Sequence, residues 1–109
     1  MQIQFATPEH LTAVEQQLVD AGFVGYRLGS TGNYAFRRFF DLKEFQGVFK
    51  ALLRRHGASD RQQISIVYNC SQDLISVCVM EADALLEYPL TQAENILWHA
   101  GVTIGGKAA

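Results

Sequence analysis

Thiols and imidazoles are the side chains of this chain best suited to catalysis or metal binding. The 109 residues include two cysteines, Cys70 and Cys78, and three histidines, His10, His56 and His99. A zinc site or a Cys–His nucleophile needs such groups at short spacing or brought together by the fold. No Cys-x-x-Cys pair is present, and no histidine lies at ligand spacing from a cysteine. We therefore expect no metal, no cofactor and no enzymatic activity; a small enzyme whose site forms between subunits is the alternative.

The stretch 64–80 contains both cysteines and has the strongest β signal in the chain. Two runs rich in Ile, Val and Tyr flank a short polar segment, which is typical of a β-hairpin. A loop with an even number of residues pairs Ile66 with Val77 and makes one face entirely apolar. Cys70 then lies on the core side and Cys78 on the other side, so that they cannot form a disulfide. Two free thiols indicate a reducing compartment, and we expect a cytoplasmic protein.

Length and composition predict a single folded domain spanning 1–109. Hydrophobic residues make up 49% of the chain and charged residues 18%, which suffices for one core. No apolar stretch approaches the roughly 20 residues that span a bilayer, and a secretory signal pattern is not expected. The net charge is −2, but segment 37–61 holds seven basic and three acidic residues, whereas 62–109 holds one basic and five acidic residues. We expect a chain with two differently charged sides and no membrane association.

Capping residues and apolar spacing predict three amphipathic helices. Each begins at a threonine or an aspartate and ends at a glycine. The predicted segments run from Thr7 to Gly22, from Asp41 (with Glu44 in a capping box) to Gly57, and from Thr91 (with Glu94) to Gly101. The side chains expected to face the core are Leu11, Val14, Leu18 and Ala21, then Phe45, Val48, Phe49 and Leu52, then Ala93, Ile96, Leu97 and Ala100.

Further strands are expected at 2–5, 23–28 and 34–40, and a short one at 102–105, while 81–88 is either a helical turn or an excursion. The order is strand, helix, strand, strand, helix, strand, strand, helix. It predicts an α+β two-layer sandwich with a mostly antiparallel sheet and helices on one face. The first six elements match the ferredoxin-like order βαββαβ, which does not by itself specify a function.

Trp98 lies off the core-facing stripe of the third predicted helix, and Val19 has the corresponding position on the first. Aromatic side chains are enriched at the centres of protein interfaces. Trp98 and Val19, with the neighbouring Asn95 and His99, therefore predict a partner-binding surface. The alternative is that Trp98 packs in the core under 81–89.

The segment 32–39 resembles the aromatic signature of RNA recognition motifs, whose exposed rings stack on bases. The matching residues are Tyr34, Ala35, Phe36 and Phe39, and the departures are Gly32, Asn33 and Arg37. The resemblance implies binding of RNA or single-stranded nucleic acid through Tyr34, Phe36 and Arg38.

Lys43, Lys50 and Arg54 recur at i, i+7 and i+11 and predict a basic stripe along the second helix. Such a stripe is either a solvated helix face or a surface for phosphates or for an acidic protein. Taken together, the sequence favours a small non-enzymatic cytoplasmic protein that occupies a protein partner, as an inhibitor, immunity protein, chaperone or regulatory factor does. A homodimer, formed through the surface of the third helix or by joining sheet edges, is a further expectation, and nucleic-acid binding is the alternative function.

Overall fold

The computed structural model of the chain describes residues 10–28, 33–80 and 84–102. These residues form a five-stranded sheet and three helices. The strands are β1 (Val24–Leu28), β2 (Asn33–Asp41), β3 (Gln63–Asn69), β4 (Leu74–Val79) and β5 (Ala84–Pro89). The helices are α1 (Ala13–Asp20), α2 (Gly47–Arg55) and α3 (Ala93–Trp98). The expected strand at 2–5 lies outside the described residues, as does all but the first residue of the one expected at 102–105.

The sheet follows the order of the chain, β1-β2-β3-β4-β5, and every neighbouring pair is antiparallel. The predicted α+β fold with an antiparallel sheet is confirmed. The segment 81–88, for which the sequence favours no single structure, is a strand from residue 84 onwards. Leu86 and Tyr88 pack towards the core, and Leu85 and Glu87 point away from it.

The hairpin of β3 and β4 has the register that the sequence predicts. Ile66 pairs with Val77 and Tyr68 with Ile75 across a four-residue connection. Cys78 pairs with Ser65 on the opposite face. Both cysteines are free thiols, as predicted.

All three helices cover the same face of the sheet. Leu18 of α1, Leu53 of α2 and Leu97 of α3 are fully buried, and they belong to one cluster with Ile66 and Val77 of the sheet. Alternate side chains of each strand point to the other side, which we call the open face. The open-face residues used below are Val24, Tyr26, Arg37, Phe39, Ser65, Val67, Ser76, Cys78, Leu85 and Glu87.

The first helix begins later than predicted. Residues 10–12 are not helical, and Thr12 caps the helix; the predicted cap, Thr7, lies outside the described residues. The Thr12 hydroxyl accepts a hydrogen bond from the Glu15 amide (3.1 Å), and the Glu15 carboxylate accepts one from the Thr12 amide (2.8 Å). This reciprocal pair satisfies two amides that would otherwise lack partners, which fixes the start of α1.

The second helix is interrupted where the sequence predicts it to be continuous. Glu44 accepts a hydrogen bond from the Asp41 amide (2.7 Å), but this pair closes only a single 3-10 turn, 42–44. Phe45 and the following residue are extended, and α2 begins at Gly47, whose φ is +65°. Because the break changes the phase of the helix, Val48 faces solvent and not the core; that prediction is wrong.

The third helix is also shorter than predicted. A 3-10 turn occupies 90–92, and Gln92, not Thr91, precedes α3 without a side-chain cap. The Leu90 amide instead donates to the Asp73 carbonyl (2.8 Å), which ties this turn to the β3–β4 connection. The buried positions Ile96, Leu97 and Ala100 are as predicted.

The ends of the helices are as predicted, with positive φ at Gly22, Gly57 and Gly101. After α1 the Phe23 amide donates a hydrogen bond to the Leu18 carbonyl, and after α3 the Val102 amide donates one to the Leu97 carbonyl, both at 2.9 Å. A left-handed residue is needed to bring the chain back in this way, and glycine adopts that conformation without a Cβ clash.

Candidate functional site: a groove between two helices

A groove of about 380 Å³ lies on the helical side of the molecule, between α2 and α3. Its lining includes Val48, Leu52 and Arg55 of α2, and Asn95 and His99 at α3. Val48 is 79% exposed, the highest value among the exposed large apolar side chains of the described chain. The groove therefore combines an apolar wall with one guanidinium and two side chains that can hydrogen bond.

His99 fixes the geometry of the groove. Its ring stacks on Phe49, with 6.1 Å between centroids and 10° between planes, and the edge of Trp98 meets it at 5.2 Å. The His99 carbonyl accepts a hydrogen bond from the Gln46 amide (3.0 Å), which joins the end of α3 to the start of α2. His99 is partly buried, and its Nδ1 has no hydrogen-bond partner among the described residues.

Trp98 is 42% exposed and adjoins the groove through His99. This exposure contradicts the alternative that Trp98 packs in the core. Asn95 and His99, also predicted as contact residues, line the groove itself. Val19 is partly buried against the core on α1, and no described contact joins it to the groove.

Val48 lines the groove, whereas the sequence predicts that it faces the core. That prediction follows from Phe45, Val48, Phe49 and Leu52, which fit one continuous helical stripe. Gly47 was the available signal, since a glycine inside a helix is unfavourable and often marks an interruption. A Cβ at this position would lie 3.5 Å from the His99 ring, which is an ordinary van der Waals contact, so it is the positive φ of +65° that favours glycine here.

The predicted basic stripe is not continuous. Lys43 lies on the 3-10 turn before α2, so only Lys50 and Arg54 share the helix. Arg54 donates to the Asp60 carboxylate at 2.9 Å, and both side chains are more than half exposed. An ion pair of this kind contributes little to stability. Arg55 is the cation of α2 that lines the groove.

The predicted nucleic-acid contacts on β2, Tyr34, Phe36 and Arg38, lie on the helix-covered face of the sheet. Phe36 is fully buried in the core, so its ring is not available to a base. Tyr34 is partly buried, and the Arg27 guanidinium lies over its ring at 5.7 Å. Arg38 lies over the Phe40 ring at 4.4 Å and donates to the Ala21 carbonyl at 3.0 Å. These three side chains do not form an exposed stacking surface.

Cys70 lies beside the start of α1 and is hydrogen bonded to the Glu15 carboxylate. Burial raises the pKa of the thiol, and the Glu15 hydrogen bond and charge raise it further, to about 12. The thiolate is the reactive form of cysteine, so the environment of Cys70 suppresses reactivity. At neutral pH Cys70 is therefore almost entirely in the thiol form.

We expect Cys70 in the Cys78→Ser variant to react with iodoacetamide far more slowly in the folded protein than in urea. A pKa near 12 in place of 9.0 lowers the thiolate fraction about a thousandfold at neutral pH. Labelling rates measured by mass spectrometry in both conditions test this, with the Cys70→Ser variant as the matched control for Cys78. Equal rates for Cys70 in buffer and in urea would contradict it.

Within residues 10–28, 33–80 and 84–102, no group of three His, Cys, Asp or Glu side chains is placed to hold a metal ion. In the same ranges, none of the helices has the length and apolarity needed to traverse a lipid bilayer. Comparisons with models of protein families, with curated proteins and with solved structures found no match to this chain.

Proposed function

We propose that this is a small non-enzymatic cytoplasmic protein that acts by binding a partner protein in the groove between α2 and α3. The observation that supports this most directly is the exposure of Val48 and Trp98 beside a groove that is already formed. Large apolar side chains grouped at the surface are typical of docking sites, and tryptophan is the residue most enriched among those that dominate binding energy.

The chemistry of the groove favours an amphipathic, acidic partner segment. The apolar wall from Val48 and Leu52 would take apolar anchors at helical spacing, as in other helix-in-groove interactions. Arg55 is the only charged residue among those that line the groove, so a carboxylate on the partner would complement it. Asn95 and His99 would accept or donate hydrogen bonds at the opposite wall.

Replacement of Trp98 by alanine is expected to weaken partner binding by at least about tenfold without changing the far-UV circular dichroism spectrum. Val48→Asp is expected to do the same, because it places a charge on the apolar wall. The measurement is quantitative affinity capture from a lysate of the native host, followed by titration with the captured protein. A nuclease-treated arm separates a protein partner from a nucleic acid.

Leu85→Asp is the matched control, since Leu85 is an exposed apolar residue on the opposite side of the sheet. It should leave capture by the groove intact. Capture that is unchanged in Trp98→Ala and in Val48→Asp would contradict the proposed site. Capture that nuclease treatment abolishes would contradict the proposed class of partner.

A further inference from the structure

The open face of the sheet is the second concentration of apolar surface in the described chain. Val24, Phe39, Met80 and Leu85 are between 38% and 58% exposed, and all four lie on this face or at its margin. The other exposed large apolar side chains of the described residues are the two at the groove. Exposed apolar side chains grouped on one face of a small domain are typical of a surface that another molecule covers.

Polar groups on the open face also lack partners. The Arg37 guanidinium lies 5.5 Å from the Tyr26 ring centroid and 5.8 Å from that of Phe39, which holds it against the face. Its Nε is buried and has no hydrogen-bond partner among the described residues. The same is true of the hydroxyl of Ser65, which is only 3% exposed. Because both atoms are enclosed by the chain itself, they cannot contact another molecule, and only the exposed side chains of this face are available to one.

The strand register places the charged groups of this face in one row. Val24, Arg37, Val67, Ser76 and Glu87 pair in turn across the five strands. Arg37 and Glu87 are three strands apart, or about 14 Å, which is too far for an ion pair within one chain. Phe39 of β2 and Leu85 of β5 belong to the next row, and they are also three strands apart.

We propose that a second copy of this chain covers the open face, with a two-fold axis parallel to the strands between β3 and β4. This rotation lays β2 of one copy over β5 of the other and β3 over β4. Arg37 then faces Glu87 of the second copy, and Phe39 faces Leu85 of the second copy. Each contact occurs twice, because a two-fold interface is self-complementary. Two sheets packed in this way lie about 10 Å apart, within reach of these side chains.

The charge pattern favours a second copy over an unrelated occupant. The two-fold rotation brings Arg37 of one copy opposite the oppositely charged Glu87 of the other. The same rotation brings the exposed Phe39 opposite the exposed Leu85. The inference does not depend on the proposed function, since the groove lies on the helical side and stays accessible. A dimer of this form would present two grooves on opposite outer surfaces.

Sedimentation velocity over a range of protein concentrations tests the dimer. The wild type should dimerise, and Arg37→Glu and Glu87→Arg should each raise the dimer dissociation constant by at least about tenfold, because each creates two like-charged contacts. The double variant Arg37→Glu/Glu87→Arg exchanges the charges and should restore dimerisation. Leu85→Asp should also dissociate the dimer, whereas Arg55→Glu, a charge reversal at the groove, should leave it intact.

Arg37→Glu also removes contacts with aromatic rings and so lowers the stability of the fold. Glu87 is exposed, so Glu87→Arg changes the dimer dissociation constant without this effect. Thermal unfolding of each variant separates the two effects. A wild type that is monomeric at every concentration would overturn the proposal and leave the face to another occupant. A dimer that Leu85→Asp and Glu87→Arg do not weaken, or a double variant that stays as weak as the single ones, would overturn it equally.

Discussion

Phe36→Ala is expected to lower the free energy of unfolding by about 3–5 kcal/mol, which is a large part of the stability of a domain this size. The ring is fully buried on the helix-covered face of β2, where it pairs with Tyr68 of β3. Removing it deletes apolar contacts and leaves a cavity between the sheet and the helices. Urea denaturation followed by circular dichroism measures the change.

Phe39→Ala is the matched control, because Phe39 lies three residues along the same strand but on the open face, at 46% exposure. Its loss should cost less than about 1 kcal/mol when measured at concentrations where the protein is monomeric. Similar costs for the two variants would mean that the two faces of β2 are not as different as the structure shows. A native-like Phe36→Ala protein with impaired nucleic-acid binding would instead favour the alternative function.

The side chains of β3 and β4 that face the core could be predicted from sequence, because successive side chains of a strand alternate between the two faces of a sheet. Ile66 and Val77 alternate with serines in both strands, so only an even loop separates apolar from polar side chains. That single inference correctly placed Cys70 and Cys78 on opposite faces. It succeeded because the two strands are adjacent in the chain and the signal is entirely local.

The same argument could not predict which face of β2 is buried, because apolar side chains occur on both of its faces. Phe36 and Phe40 alternate with Arg37 and Phe39, so neither parity gives a polar side. The resemblance to the RNA recognition motif selected Phe36 as an exposed ring, and the structure places it in the core. The exposed aromatic on this strand is Phe39, and its register with Ser65 depends on pairing with a distant segment.

The residues at which the helices begin could not be predicted either. Residues able to cap a helix are more frequent than helix starts, and tertiary contacts decide which of them is used. Glu44 does bond to the Asp41 amide, yet the hydrogen bond from Gln46 to the His99 carbonyl draws the chain out of the helix before Gly47. Because this contact joins residues more than fifty positions apart, no local pattern predicts it; Gly47 indicates that the helix is interrupted, but not which way Val48 then faces.

The start of α1 holds a buried carboxylate. Glu15 is 8% exposed, accepts a hydrogen bond from the Thr12 amide and is hydrogen bonded to Cys70. Burial raises the pKa of this carboxyl group, but the hydrogen bonds from Cys70 and Thr12 outweigh it, so that the pKa lies below its ordinary value of 4.5. The ionised form is therefore favoured in the folded state over the unfolded state.

A carboxyl group with a lowered pKa in the folded state stabilises the protein above its unfolded pKa and loses this contribution as the pH falls through the folded value. Glu15→Gln is therefore expected to lower the free energy of unfolding by about 1–2 kcal/mol near pH 7. The difference between wild type and variant should shrink as the pH falls below the ordinary carboxyl range, because protonated Glu15 resembles glutamine.

Urea denaturation of both proteins between about pH 3 and pH 7 measures this difference. Glu44→Gln is the matched control at neutral pH, since Glu44 bonds to the Asp41 amide in the same way but its side chain is 36% exposed. Its loss should cost less than that of Glu15, because water can replace a hydrogen bond at an exposed site. A difference between wild type and Glu15→Gln that stays constant across the pH range would show that the charge of Glu15 does not stabilise the fold. The role of this residue would then be to fill space between α1 and the β3–β4 connection.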